Sequence, residues 1–224
     1  SSLFFNGFDI SQAQNMDPLV HYNQISIAPR PLLSNLFLSD RYRKMYLAHI
    51  RTIVQEKFVS QDYYFRGQYL QSLIDLSVQN DTNKFYSYSD FTTNLSNPVS
   101  LVTGDCPGIT QLMDSRTTYL SNYTGFSGEP TISNIGYSPQ NFILGDDIWI
   151  TADIVDANEA ILAFRFGINM AFKKVFMFDD GNHNDGLAND GRFGAKISDA
   201  ANLIDYYLYA DHDSAGVFSP VRAA

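Results

Sequence analysis

The chain has 224 residues, long enough for two modest cores when single domains cluster near ~100 to 150 residues. Hydrophobic residues make up 45% and charged residues only 17%, a composition that excludes a disordered chain. Lys and Arg number 15 against 24 Asp and Glu, a net charge of -9 with no basic cluster, so nucleic acid is excluded as an expected partner.

The single cysteine, Cys106, and four scattered histidines, His21, His49, His183 and His212, exclude an internal disulfide framework and a structural zinc cluster. No apolar run reaches the ~18 residues of a membrane span. The opening Ser1-Ser2-Leu3-Phe4-Phe5 has no start methionine and no basic region followed by an apolar stretch, and it reads as the start of a mature product or fragment. A surface built from Asn, Ser, Thr and Tyr in place of Lys and Glu fits a secreted or cell-surface protein.

Residues 1–28 show little periodicity and many turn formers, such as Asn6-Gly7 and Met16-Asp17-Pro18, and are expected to be extended or looped. From Pro31, the spacing of Leu32, Leu33, Leu36 and Phe37 is helical. Ser39-Asp40 then caps the strongest helix, about 41–57, where Tyr42, Met45, Tyr46, His49, Ile50, Ile53 and Val54 form one apolar stripe. That stripe must pack against another element, and a further helix over 62–78, capped by Asp62, offers Phe65, Tyr69, Leu70, Leu73, Ile74 and Leu76 for a shared helical core. A last helix over about 109–123 presents Ile109, Leu112, Met113, Arg116, Tyr119 and Leu120.

The run Thr124-Gly125-Phe126-Ser127-Gly128-Glu129-Pro130 has linker composition and sets the expected boundary: an α-helical domain at 1–127 and a β domain at 128–224. Past it, strands are expected at 131–137, 147–154, 160–166, 173–178, 191–197, 203–210 and 216–221. Seven strands at this spacing fit an immunoglobulin-like or fibronectin-like β-sandwich. The fold class is thus multidomain α and β.

Within the β half, the segment from Asp179 to Gly191 is dense in Asp, Asn and Gly. Oxygens from Asp180, Asn182, Asn184, Asp185 and Asp190 at close spacing can converge on calcium. An EF-hand is excluded, since counting from Asp180 the sixth position is Asp185 and the twelfth is Gly191. The same residues also read as a pure turn, because Asp-Gly and Asn-Gly adopt positive φ cheaply and Asp bonds nearby amides. Both readings stand on sequence alone. Asp147, Asp211, His212 and Asp213 have no signature spacing, and His49 on the apolar stripe reads as a core histidine. Tyr137, Trp149, Tyr206, Tyr207 and Tyr209 are candidates for recognising a glycan or protein at the cell surface if they are exposed.

The run Arg30-Pro31-Leu32-Leu33-Ser34-Asn35-Leu36, followed by Asp40-Arg41-Tyr42-Arg43-Lys44-Met45-Tyr46-Leu47-Ala48-His49-Ile50, resembles the C-terminal part of CotH kinase-like proteins. The likeness continues through the Asp62 helix, the Asn80-Asp81 turn with Lys84-Phe85, and Arg116 with Tyr119-Leu120. The Asp179–Gly191 segment and Asp205-Tyr206-Tyr207 resemble the immunoglobulin-like module that follows such domains in exported Bacteroidetes proteins. The resemblance implies an atypical protein kinase using ATP and a divalent metal such as magnesium. The family's nucleotide-binding lysine and metal-binding aspartates lie upstream of the matched region, so no catalytic residue transfers. What is implied is a C-terminal fragment, not catalytic by itself, whose partner is an upstream kinase-like domain of the same protein.

Overall fold

The computed structural model describes residues 9–24, 26–27, 30–101 and 104–222. It is a mixed α and β fold in which every strand pairing is antiparallel. Two compact units divide the chain, one from residues 1–29 and 50–123, the other from 30–49 and 124–224. The division after Tyr123 falls close to the boundary expected at 127. Residues 30–49, expected among the helices, group instead with the strands.

The first unit begins with two short helices, α1 (Ile10–Gln14) and α2 (Val20–Asn23), inside a stretch expected to be looped. Residues 1–8, 25 and 28 of that stretch lie outside the described residues. α1 forms because Asp9 and Gln12 make a reciprocal capping box, each side chain accepting from the other's backbone N–H. It is tied to α7 (Ile109–Ser121) by Gln14 Nε2 donating to the Gln111 carbonyl at 2.8 Å and by Arg116 donating to the Gln14 and Met16 carbonyls.

α5 (Asp62–Asn80) is joined to α7 by Tyr63 donating to Asp114. Burial and then Asp114 push that phenol up to about 12. Asp62, expected as the cap, is the first helical residue and instead pairs with Lys57 at 3.0 Å. α6 (Tyr88–Thr93), unexpected from periodicity, starts at a second capping box between Ser87 and Asp90. The hairpin β1 (Val99–Leu101) and β2 (Gly104–Cys106) follows. Leu95 is buried against Gly67 of α5, where an added Cβ would sit 2.5 Å from the Leu95 side chain. Few apolar side chains are buried here. α5 buries none, although Phe65, Tyr69, Leu70, Leu73, Ile74 and Leu76 were expected to build a core, and all six are exposed.

The second unit holds α3 (Pro31–Leu38), residues 40–49 of α4 (Asp40–Ile53), and two sheets. One sheet has the order β3-β4-β7, from β3 (Thr131–Ser138), β4 (Ile148–Val155) and β7 (Arg192–Ile197). The other has the order β6-β5-β8-β9, from β5 (Glu159–Arg165), β6 (Lys173–Met177), β8 (Asp205–Asp211) and β9 (Gly216–Ser219). Both contribute to one buried cluster: Ile148, Ile150, Ala152 and Ile154 alternate inward from β4, and Ala160, Leu162 and Leu208 come from the other sheet. A bridge between Phe178 and Gly194 links the sheets next to β6 and β7.

Residues of β5 from Ala160 to Phe164 are all buried, so the strand is covered on both faces. Its outward Ile161, with Tyr209 of β8 and Phe218 of β9, packs against Met45 and Ala48 of α4. Of the expected stripe only Met45 packs there, while Tyr42, Tyr46, His49 and Ile53 are exposed; the buried face of α4 is set instead by Lys44, Leu47, Ala48 and Arg51. A sheet whose two faces are both apolar needs a helix on one of them, and α4 supplies it. Lys44, buried in the same place, lies 2.8 Å from Asp40 and 3.7 Å from the buried Asp211. Asp40, expected as a cap, is the first helical residue and pairs with Arg43 and Lys44.

Candidate functional site

The acidic connection between β6 and β7 is built around Asp185, which is fully buried. Its Oδ2 accepts from the backbone N–H of Asp180 at 2.6 Å and of Gly181 at 2.9 Å, and its Oδ1 accepts from His183 N–H at 2.7 Å. Burial works to raise the Asp185 carboxyl, but these amides outweigh it and hold it below the ordinary carboxylate value. Asp179 accepts from the Asp190 and Gly191 amides, and Asp190 from the Leu187 and Arg192 amides. Asp180 Oδ1 accepts from Asn182 N–H and bonds His183 Nδ1 at 2.8 Å, and the His183 bond is the main reason its carboxyl is held low. Asn182 Nδ2 donates back to the Asp180 carbonyl at 3.1 Å. Gly181, Asn184, Gly186, Asn189 and Gly191 all take positive φ, which is what this composition permits.

The loop is then fastened to the sheet by His183. Its ring lies 4.7 Å from the Phe178 ring and meets Trp149 edge-on at 5.9 Å. A Cβ on Gly194 would fall 2.0 Å from the His183 carbonyl oxygen, so glycine at 194 is what lets the loop lie down.

Asp180, Asn182, Asn184, Asp185 and Asp190, the predicted calcium ligands, share one loop. Asp180, Asp185 and Asp190 turn their oxygens to amides of their own loop, and no three His, Cys, Asp or Glu side chains are grouped for a metal among the described residues. A calcium ion takes six to eight oxygens at ~2.3–2.6 Å, so these carboxylates would have to abandon the backbone to hold one. As arranged, the loop is a turn closed by its own amides.

The remaining candidates scatter. Asp147 pairs with Lys196 at 2.9 Å and is held low mainly by that bond. Asp211 is buried against Lys44, and Asp213 accepts from Asn158 Nδ2. His49 is exposed at one edge while its ring stacks on Phe218 at 4.5 Å, and burial lowers its imidazole below the ordinary value. Among the candidate aromatics, Tyr209 is buried, Tyr206, Tyr207 and Trp149 are half-buried, and Tyr137 is exposed beside Phe142.

A groove of about 730 Å³ adjoins this loop, with Asp179, Asn189 and Gly191 on its border. Phe176, Phe178 and Phe193 supply apolar walls, and Asp156, Asn189 and His212 supply polar ones. Sequence reasoning missed it, although Phe176 and Phe178 share a face at the two-residue spacing of a strand. The first unit has a separate apolar groove of about 520 Å³ bounded by Leu70, Ile74 and Val78 of α5, with Phe91, Leu95 and Ile109.

No family model and no curated protein matches the chain. Among solved structures it has a likeness to the crystal structure of MHC-like MILL2, at 17% identity and a TM-score of 0.21, covering 49% of this chain and 46% of that one. The chain thus spans less than half the length of that structure, and a likeness at this score carries no argument about fold or function. Among the described residues, no helix is long and apolar enough to cross a membrane.

Proposed function

We propose that the chain is the C-terminal portion of a secreted or cell-surface CotH-like protein. On this reading the helical unit completes an upstream kinase-like domain, and the β unit is an accessory immunoglobulin-like or fibronectin-like β-sandwich. The chain is not catalytic by itself, and ATP and magnesium belong with the upstream core.

The observation that carries the reading is α5. Phe65, Tyr69, Leu73 and Leu76 form an apolar stripe along one side of the helix that is exposed at every position, while Leu70, Ile74 and Val78 line a groove with Phe91, Leu95 and Ile109. An apolar stripe on a helix is the face that packs on another element, and an upstream domain would supply that element here. The sandwich reading is supported by a three-stranded and a four-stranded antiparallel sheet whose inward residues share one cluster.

The test is the intact mass of the native protein combined with hydroxyl-radical footprinting. A mass well above 25.2 kDa, with Leu73 and Leu76 protected in the native protein and labelled in this chain, is expected. A native mass of 25.2 kDa, or equal labelling, ends the reading.

A second reading, recognition of a glycan or protein at the cell surface, is favoured by the groove at Phe176, Phe178 and Phe193, whose mixed apolar and polar walls suit such a ligand. A glycan array whose hits are lost on Phe178→Ala supports it, and an array without hits removes the glycan.

A further inference from the structure

The strand register gathers the ends of β4, β6 and β8 and the starts of β5, β7 and β9 at one end of the β unit. Asp153 near the end of β4 faces Arg192, the first residue of β7; Ala160 of β5 faces Met177, the last of β6; and Asp211, the last of β8, faces both Glu159 and Gly216. The groove of about 730 Å³ lies at this end. Its size falls within the ~300–1,000 Å³ of sites that take a ligand. Phe176 and Phe178 on its wall are 49% and 45% exposed, so both rings are offered to whatever enters.

Three carboxylates line the same groove, Asp156, Glu159 and Asp179, with His212 as the remaining titratable group of the wall. Glu159 is answered by Arg41, whose guanidinium pairs with it and lies 5.7 Å from the centre of the Phe176 ring. The chain thus seats one guanidinium of its own between a carboxylate and a phenyl face. The cations of the adjoining segments are also matched, Arg192 to Asp153 at 2.8 Å and Lys44 to Asp40 and Asp211. Of the other carboxylates, Asp179 and Asp190 accept from backbone amides and Asp213 accepts from Asn158. Asp156 is exposed at φ 59. Among the described residues, none of Asp156, Asp179, Asp190 and Asp213 meets a cation.

Two properties select the occupant. Carboxylates outnumber cations at the groove, so it attracts a positive group and repels an anionic one. The half-exposed phenyl rings favour a planar, weakly hydrated cation over a compact, strongly hydrated one, and Arg41 on Phe176 shows that arrangement at the groove's own border. Resting on the reading of this groove as a recognition surface, we propose that it receives an arginine-bearing segment of a partner protein. The partner's guanidinium lies on the Phe178 wall, and Asp156 and Asp179 meet its charge.

The test is fluorescence anisotropy of the full chain with a labelled peptide of alternating arginine and serine, at about pH 8, above the ordinary titration range of histidine. Saturable binding is expected, weakened at least about fivefold when citrulline, which keeps the shape and loses the charge, replaces arginine. Asp156→Asn is expected to weaken the arginine peptide about threefold with an unchanged melting temperature, since the site is exposed and Asn adopts positive φ readily. Phe178→Leu, which keeps apolar bulk and removes the ring, is expected to weaken it by a similar factor. Asp199→Asn removes the same charge from an exposed position at φ 54 beyond β7, at the opposite end of the unit, and is expected to leave binding unchanged. Absence of saturable binding overturns the proposal, as does an equal loss with Asp156→Asn and Asp199→Asn, which would assign the attraction to the net charge of -9 alone. A citrulline peptide bound as tightly, and lost on Phe178→Leu, overturns the arginine while keeping the groove as a recognition surface. Binding of both peptides that survives Phe178→Leu removes the groove as well. None of these outcomes depends on how the helical unit is completed.

Discussion

Strand β5 and helix α5 carry comparable apolar residues and meet opposite fates. The central residues of β5 are all buried, between the shared cluster on one face and α4 on the other, whereas the 19-residue α5 buries none. Pairing with β6 and β8 at its two edges holds β5 inside a sheet, whose two faces the other sheet and α4 then cover. A helix satisfies its backbone internally, so nothing in α5 obliges another element to cover it. Apolar content by itself states only that a surface wants a partner.

The sharpest way to break this comparison is to truncate one residue from each element. Leu162→Ala in β5 is expected to destabilise the β unit by about 3 to 4 kcal/mol, as for a fully buried leucine, whereas Leu73→Ala in α5 is expected to stay within about 0.5 kcal/mol. Urea denaturation of each variant checks both values. A large loss for Leu73→Ala would mean that α5 is covered in solution.

Next in size is the acidic loop, where order comes from a buried carboxylate instead of apolar packing. Asp185→Ala leaves three backbone donors without their acceptor and is expected to cost about 3 kcal/mol. Adding calcium or a chelator to the wild type is expected to leave the melting temperature unchanged. A rise with calcium would show that the carboxylates can turn away from the backbone to bind it. Because the folded Asp185 carboxyl lies below its unfolded value near 3.8, its contribution is present above that pH and fades as pH falls through the folded value.

Lys44→Ala probes the seat of α4 on the sheet. Removing one member of a buried pair strands Asp211, and a loss of about 3 kcal/mol is expected by the same denaturation assay. Lys44→Met, which keeps the stem packed, should differ little from Ala if the stranded charge dominates and should recover part of the loss if packing does.

The smallest effect concerns His49. Burial lowers its folded imidazole below 6.5, so as pH falls under that value the unfolded chain takes up protons first and stability declines. His49→Phe is expected to flatten this slope while keeping the stack on Phe218, and melting curves on either side of that pH check it.

Helix spacing after Pro31 and Asp40 and the alternation of Ile148, Ile150, Ala152 and Ile154 were legible because each follows the period of its own backbone. Less visible were α1 and α6, which rest on the Asp9-Gln12 and Ser87-Asp90 capping boxes. Those pairs were present in the sequence and overlooked because the apolar pattern around them is short. The composition of the Asp179–Gly191 segment marked it as special without choosing between a cation site and a turn. The three amide bonds of Asp185 depend on its being enclosed, and enclosure is a property of the assembled sheet.

By itself, the sequence determined the change from helix to strand near residue 124, the main helices and the seven later strands, because propensity, capping and periodicity act over a few residues. Only the tertiary structure decided that α4 lies on a sheet, that α5 leaves its Phe65, Tyr69, Leu73 and Leu76 stripe exposed, and that the acidic loop closes on its own amides. Each of these depends on which surfaces meet across long sequence separations, and a pattern read along the chain says that a face is apolar without saying what it touches.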